Sequence, residues 1–125
     1  IDLFTKETRA DMVAIAFGNA HGEYKGEPDL KYDLVEYTVK RADIPFVVHG
    51  GSGLKDSVIR RLISISGVKK INISTDVKLA YRQGILYASQ NGFLEQKGFQ
   101  ATRVESCIHE TIVDMVSRKL DLLPE

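Results

Sequence analysis

The stretch IPFVVHGGSG, residues 44–53, decides how the chain is read. Pro45 opens a short run, Phe46, Val47 and Val48, whose bulky and β-branched side chains suit a strand. His49 ends the run, and Gly50, Gly51, Ser52 and Gly53 make a turn with almost no side chains. The segment LKDSVIRRLISISG follows, with Val58, Ile59, Leu62 and Ile63 on one helical stripe and Gly67 as a candidate C-terminal cap. The local unit is strand, glycine-rich loop, helix.

The same rhythm recurs on both sides. Upstream, MVAIAF (residues 12–17) runs into GNAHGEYKGEP, whose glycines and Pro28 mark a loop. A helical segment over residues 31–41 then spaces Leu34, Val35, Thr38 and Val39 as helical neighbours. Downstream, VKKINIS reads as a third strand and leads into TDVKLAYRQGILYASQNG. There Val77, Ala80, Tyr81, Ile85 and Ala88 are expected on one face, with Gly92 closing the helix. Thr102 and Glu105 are spaced as a capping box ahead of a last helix carrying Val104, Ile108, Met115 and Val116.

The first two apolar runs are continuous, the pattern of parallel strands covered on both faces. Three strand–loop–helix units in succession predict an α/β fold with parallel strands and right-handed crossovers. An open doubly wound sheet and a (β/α)8 barrel both satisfy that rule. A whole barrel takes about 250 residues, so a chain of 125 residues would supply half of one.

Composition narrows the function classes. Seventeen basic and seventeen acidic residues cancel, which removes a general electrostatic case for nucleic acid or an anionic membrane as partner. No apolar run reaches the ~18 residues of a membrane span. Cys107, the sole cysteine, cannot form an internal disulfide, which fits a reducing cytoplasmic setting. Its apolar helical neighbours make it a buried small hydrophobe.

In either α/β architecture the working face lies at the C-terminal ends of the strands. Those ends read GNAHGEYK, HGGSG and NISTD. His21 and His49 occupy equivalent points, each followed by glycine, and 49 − 21 = 28 residues is about one strand–helix–strand unit. Two neutral imidazoles brought together on adjacent strands suit Zn²⁺ or a similar divalent ion; the bland alternative is that each caps its own strand. Gly50, Gly51 and Gly53, with the Ser52 hydroxyl, are expected to turn backbone N–H groups towards a phosphate. Ser74, Thr75 and the start of the next helix would address the same anion, and Lys25 could reach it as a cation. Asn72 alternates with Ile71 and Ile73, so its amide could meet substrate hydroxyls. Asp76 reads equally as a substrate-site residue and as a helix cap. His109, among Cys107, Ile108 and Ile112, reads as structural.

Together, VAIAFGNAHGEYKGEP, IPFVVHGGSGLKDSVIRRLISISGVKKINISTD and the helix after them resemble the C-terminal half of class II, zinc-dependent ketose-bisphosphate aldolases. The resemblance runs from about residue 12 to 81, with three motifs in order and at the right spacing. It implies strands six to eight of a TIM (β/α)8 barrel, all 125 residues forming the C-terminal portion of one barrel domain. It implies zinc on His21 and His49. Gly22, Lys25, Gly50, Gly51, Ser52, Asn72, Ile73, Ser74, Thr75 and Asp76 would line the site for dihydroxyacetone phosphate. A monovalent cation (Na⁺ or K⁺) on backbone oxygens near Gly22 and Gly50 and a homo-oligomer, dimer or tetramer, are further implications.

The implied reaction is reversible cleavage of a ketose 1,6-bisphosphate to dihydroxyacetone phosphate and glyceraldehyde 3-phosphate, fructose and tagatose forms both remaining open. The family's third zinc histidine and its catalytic aspartate form an Asp-His pair on an earlier strand, and no such pair occurs here. No catalytic acid/base residue is therefore assigned in this chain; the expectation is the C-terminal part of a longer aldolase. The competing reading is a non-catalytic sugar-phosphate-binding or assembly fragment.

Overall fold

A computed structural model of the chain describes residues 1–20, 22, 26–95 and 97–124. It divides into two compact units, one built chiefly of Ile1–Ser74 and the other of Thr75–Leu123. The first contains α1 (Asp2–Thr8), α2 (Tyr32–Ala42), β1 (Phe46–Val48), α3 (Asp56–Ile63) and β2 (Val68–Ile71). The second contains α4 (Thr75–Gln90) and α5 (Ala101–Leu120).

In the first unit β1 and β2 pair in parallel, Phe46 opposite Val68, Val47 opposite Lys70 and Val48 opposite Ile71, with a register irregularity after Phe46. The crossover between them is α3. On the other side of β1, Val13 forms a parallel bridge to Phe46. Its N–H donates to Pro45 O at 3.0 Å and its carbonyl accepts from Val47 N at 2.8 Å. Three consecutive parallel segments thus lie side by side in chain order.

All three residues of β1 are buried, as a continuous apolar run predicts. Phe46 and Phe17 pack edge to face, centroids 6.1 Å apart at 67°, a favoured aromatic geometry. Val35 and Thr38 of α2 and Ile59 and Leu62 of α3 complete this core. Thr38 tolerates burial because its hydroxyl donates to Leu34 O at 2.8 Å.

The first apolar run departs from expectation. Residues 12–17 form a single bridge rather than a regular strand, and they are covered on one side only: Val13 and Phe17 are buried while Ala14 and Ala16 are exposed. A segment with a neighbour along one edge and for one rung cannot complete a ladder. At its far end α1, not anticipated from sequence, is a two-turn helix with no buried residue and no side-chain cap. Arg41 of α2 pairs with Asp2 of α1. The hydrogen bond to Asp2, then its charge, then Tyr37 raise the Arg41 guanidinium above its ordinary value.

Gly67 does not cap α3. That helix ends at Ser64, whose hydroxyl donates back to Arg61 O at 2.8 Å, a local bond that competes with helix continuation. Gly67 instead precedes β2 at φ 103°, where a side chain would meet Val39. Its carbonyl accepts from Phe46 N at 2.8 Å.

The second unit is a pair of helices in close contact. Gly84 and Ala88 of α4 and Cys107 and Met115 of α5 are its buried residues within helices. The expected face of α4 is rotated: Val77 is 37% and Tyr81 49% exposed, as is Val116 of α5 at 41%. Smallness decides this, because Gly84 lets α4 approach the α5 backbone at Cys107 and Ile108. Thr111 bridges the helices, its hydroxyl donating to Ala80 O at 2.8 Å. The capping box does not form. α5 begins at Ala101 with Gln100 as N-cap and no side-chain cap bond, so Thr102 already lies inside the first turn. Gln100 N–H is bonded instead to Phe93 O at 3.1 Å.

Candidate functional site at the strand ends

His49 follows β1 directly, with its side chain exposed. The three glycines after it serve two different needs. Gly50 at φ 66° and Gly53 at φ 76° adopt left-handed backbone that side chains disfavour. Gly51 is needed for close approach: a Cβ there would collide with Ile71 Cγ2 and lie 3.2 Å from Asn72 O. The Gly51 N–H does not point outward, contrary to expectation, but donates to Asn72 O at 3.0 Å, and Asn72 N–H donates to Val48 O at 2.8 Å. The β1–β2 pairing thus continues one step past both strands and consumes a donor counted for an anion.

Ser52 is the buried polar residue of this loop, 2% exposed. Its hydroxyl oxygen accepts from Ser74 N–H at 3.1 Å, fixing NIST against GGSG. Asn72, half-buried at the end of β2, turns its side-chain amide to His49, with Nδ2 3.4 Å from Nε2. The loop after β1 and the residues after β2 therefore form one structure, in which His49, Gly50, Gly51, Ser52, Asn72, Ile73 and Ser74 are neighbours along two adjacent strand ends.

Asn19, not among the residues expected at the site, joins them. Its Oδ1 accepts from Phe17 N–H at 3.0 Å and its Nδ2 donates to His49 O at 2.7 Å. The only hint in the sequence was its place two residues before His21. Gly22 has φ 92°, and among the described residues nothing lies within 4 Å of where its Cβ would be. His21 and Lys25 lie outside the described residues. Beyond them, Glu27 pairs with Lys55 across the rim, beside a shallow depression lined by Gly26, Pro28, Gly53 and Val58.

Thr75 and Asp76 belong to the second unit, in the first turn of α4. Asp76 complements the helix N-terminus there, and its Oδ2 lies 3.0 Å from Lys119 Nζ, both side chains about four-fifths buried. His109 is exposed on α5 and Cys107 is buried, as expected. Among the described residues no three His, Cys, Asp or Glu side chains cluster as a metal group, and no helix is long and apolar enough to cross a membrane.

Parallel strands joined by helices, with a histidine, a glycine loop and an asparagine at adjacent C-terminal ends, define an α/β strand-end site of the kind that binds small ligands. The family model for class-II fructose-bisphosphate aldolase matches residues 1–124, and the chain belongs to that family. It is 32% identical over 117 residues to a sulfofructosephosphate aldolase of Alkalicoccus urumqiensis, covering 94% of this chain and 39% of that protein. It is 34% identical over 109 residues to the 6-phospho-5-dehydro-2-deoxy-D-gluconate aldolase of Bacillus subtilis (strain 168), covering 86% and 37%. Among solved structures, the YdjI aldolase of Escherichia coli K12 matches with TM-score 0.79 and 30% identity, over 97% of this chain and 42% of that one. Fructose-bisphosphate aldolase of Campylobacter jejuni matches with TM-score 0.69 and 26% identity, over 97% and 43%. The chain spans about two fifths of the length of the relatives it matches.

Proposed function

We propose that this chain carries half of the active site of a zinc-dependent aldolase that reversibly cleaves a phosphorylated ketose to dihydroxyacetone phosphate and an aldehyde. A ketose 1,6-bisphosphate is the substrate of first choice. The chain is then strands six to eight of a (β/α)8 barrel. The order of the parallel segments, through Val13, β1 and β2 as consecutive neighbours, is that of adjacent strands of a barrel.

The observation that carries the reading is the meeting of His49 and Asn72 across adjacent strand ends, Nδ2 to Nε2 3.4 Å, directly beside the glycine loop. The residues suit zinc: an exposed imidazole leaves β1 at the working face, and in the sequence His21 follows the preceding apolar run as His49 follows β1. Bound zinc supplies a Lewis acid that polarises the ketone and stabilises the negative charge developing as the carbon–carbon bond breaks. The chain's own residues bind and orient. The Ser52–Ser74 bond holds the loop closed in shape, so that the phosphate meets a preformed rim; Lys25, earlier in the sequence, is the cation proposed for the same anion. Asn72 offers an amide to a substrate hydroxyl next to His49. The proton-transfer group is the family's aspartate on an earlier strand.

The test is lyase activity of the intact protein towards fructose and tagatose 1,6-bisphosphates before and after chelation. Loss of dihydroxyacetone phosphate formation on chelation and its return with added zinc is the expected result. Undiminished cleavage by fully metal-free protein would refute the proposal.

A further inference from the structure

The backbone ladder between the first apolar run and β1 runs out early. Val47 N–H donates to Val13 O at 2.8 Å, and further along a side chain also ties the two segments. The Asn19 carboxamide spans the gap, taking the Phe17 N–H on one atom and giving its own N–H to the His49 carbonyl on the other. A planar amide that uses both ends fixes two backbone segments relative to each other, and such bonds lose little to entropy once made.

The location gives this brace its consequence. The His49 carbonyl belongs to the peptide that enters Gly50, whose φ of 66° starts the turn. Holding that carbonyl fixes the last backbone torsion of His49 and so the direction from which its imidazole leaves the strand. Asn19 also stands two residues before His21. One side chain thus ties the end of the first apolar run to the backbone of His49. On the opposite side Asn72 approaches the His49 ring. His49 is held between two carboxamides, one at its backbone and one at its imidazole.

We infer that Asn19 is a positioning residue for His49: it sets the orientation of the ring through the His49 carbonyl and ties that residue to the end of the first apolar run. Both ends of its carboxamide are bonded to backbone groups, Phe17 N–H and His49 O. The inference rests on the zinc reading above for its effect on metal binding, whereas its effect on the His49 ring stands without metal. Partners that orient metal ligands without binding the metal commonly change affinity by about 10–100-fold when removed.

The experiment uses the intact protein as wild type, Asn19→Ala, Asn19→Asp and His49→Ala, with zinc affinity measured by competition against a chromogenic chelator. The His49 ring signals are followed in metal-free, ¹⁵N-histidine-labelled protein and assigned by their loss in His49→Ala. Asn19→Ala should weaken zinc about tenfold or more and move the His49 ring signals, while His49→Ala abolishes tight binding. Asn19→Asp keeps an acceptor for Phe17 N–H but cannot donate to His49 O. It should retain slow exchange at the Phe17 amide while moving the ring signals, and it carries the test if the alanine variant fails to fold. Wild-type ring signals in both Asn19 variants would overturn the inference. Wild-type zinc affinity in His49→Ala would instead refute the metal reading, leaving the metal-free ring signals to judge Asn19 alone.

Discussion

Ser52 accepts a hydrogen bond at 3.1 Å from the backbone N–H of Ser74, 22 residues away, while its own residue is 2% exposed. Through this bond a loop that looks flexible in sequence is anchored to the end of the neighbouring strand. Replacing Ser52 with Ala removes the acceptor and leaves a part-buried N–H without it, which costs about 1–2 kcal/mol. Urea denaturation of Ser52→Ala should report that loss, and the Michaelis constant for the sugar phosphate should rise with it.

Gly51 and Gly84 each sit where a side chain would collide with a packed neighbour. A Cβ on Gly51 meets Ile71 Cγ2 and the Asn72 carbonyl; one on Gly84 would sit 2.5 Å from Ile108 Cα and 2.9 Å from Cys107 O. At Gly84 the obstacle is backbone, which cannot give way, and at Gly51 it is a methyl on the stiff β-branched Ile71, so Gly51→Ala and Gly84→Ala should each cost about 1–3 kcal/mol. Crystal structures of the two variants should show β1 and β2 ends shifted in the first and α4 displaced from α5 in the second.

Phe46 is fully buried and meets Phe17 edge to face. Truncation to alanine should destabilise the protein by about 3–5 kcal/mol, transfer and cavity terms together. Thermal unfolding would measure this; a loss below about 1 kcal/mol would mean that the sheet is not the core.

The Asp76–Lys119 pair spans α4 and α5 at 3.0 Å with both side chains mostly buried. A double-mutant cycle with Asp76→Asn and Lys119→Met should give a coupling of about 1 kcal/mol, more than exposed pairs such as Lys55–Glu27 provide.

The elements legible in the sequence were those whose residues decide locally. Phe46, Val47 and Val48 read as a buried strand and are one, and α2 falls within a residue of its expected span because its apolar spacing is helical. Other features were set by partners distant in sequence. Thr102 could not cap α5 because Gln100, tied to Phe93 O, starts the helix earlier. Glycine after a helix is usually its cap, but Ser64 ends α3 before Gly67 is reached. At the site, His49 and Asn72 were legible as residue types at strand ends. The use of Gly51 N–H for pairing, and the Asn19 brace, depend on register and on a side chain reaching 30 residues along the chain.

Zinc stoichiometry tests the central claim most directly. The intact protein is dialysed against trace zinc and analysed by plasma mass spectrometry as wild type, His21→Ala and His49→Ala. The wild type should hold one zinc per chain, and each variant should lose nearly all of it while keeping its far-ultraviolet circular dichroism. Full zinc occupancy in folded His49→Ala would contradict the assignment of the site.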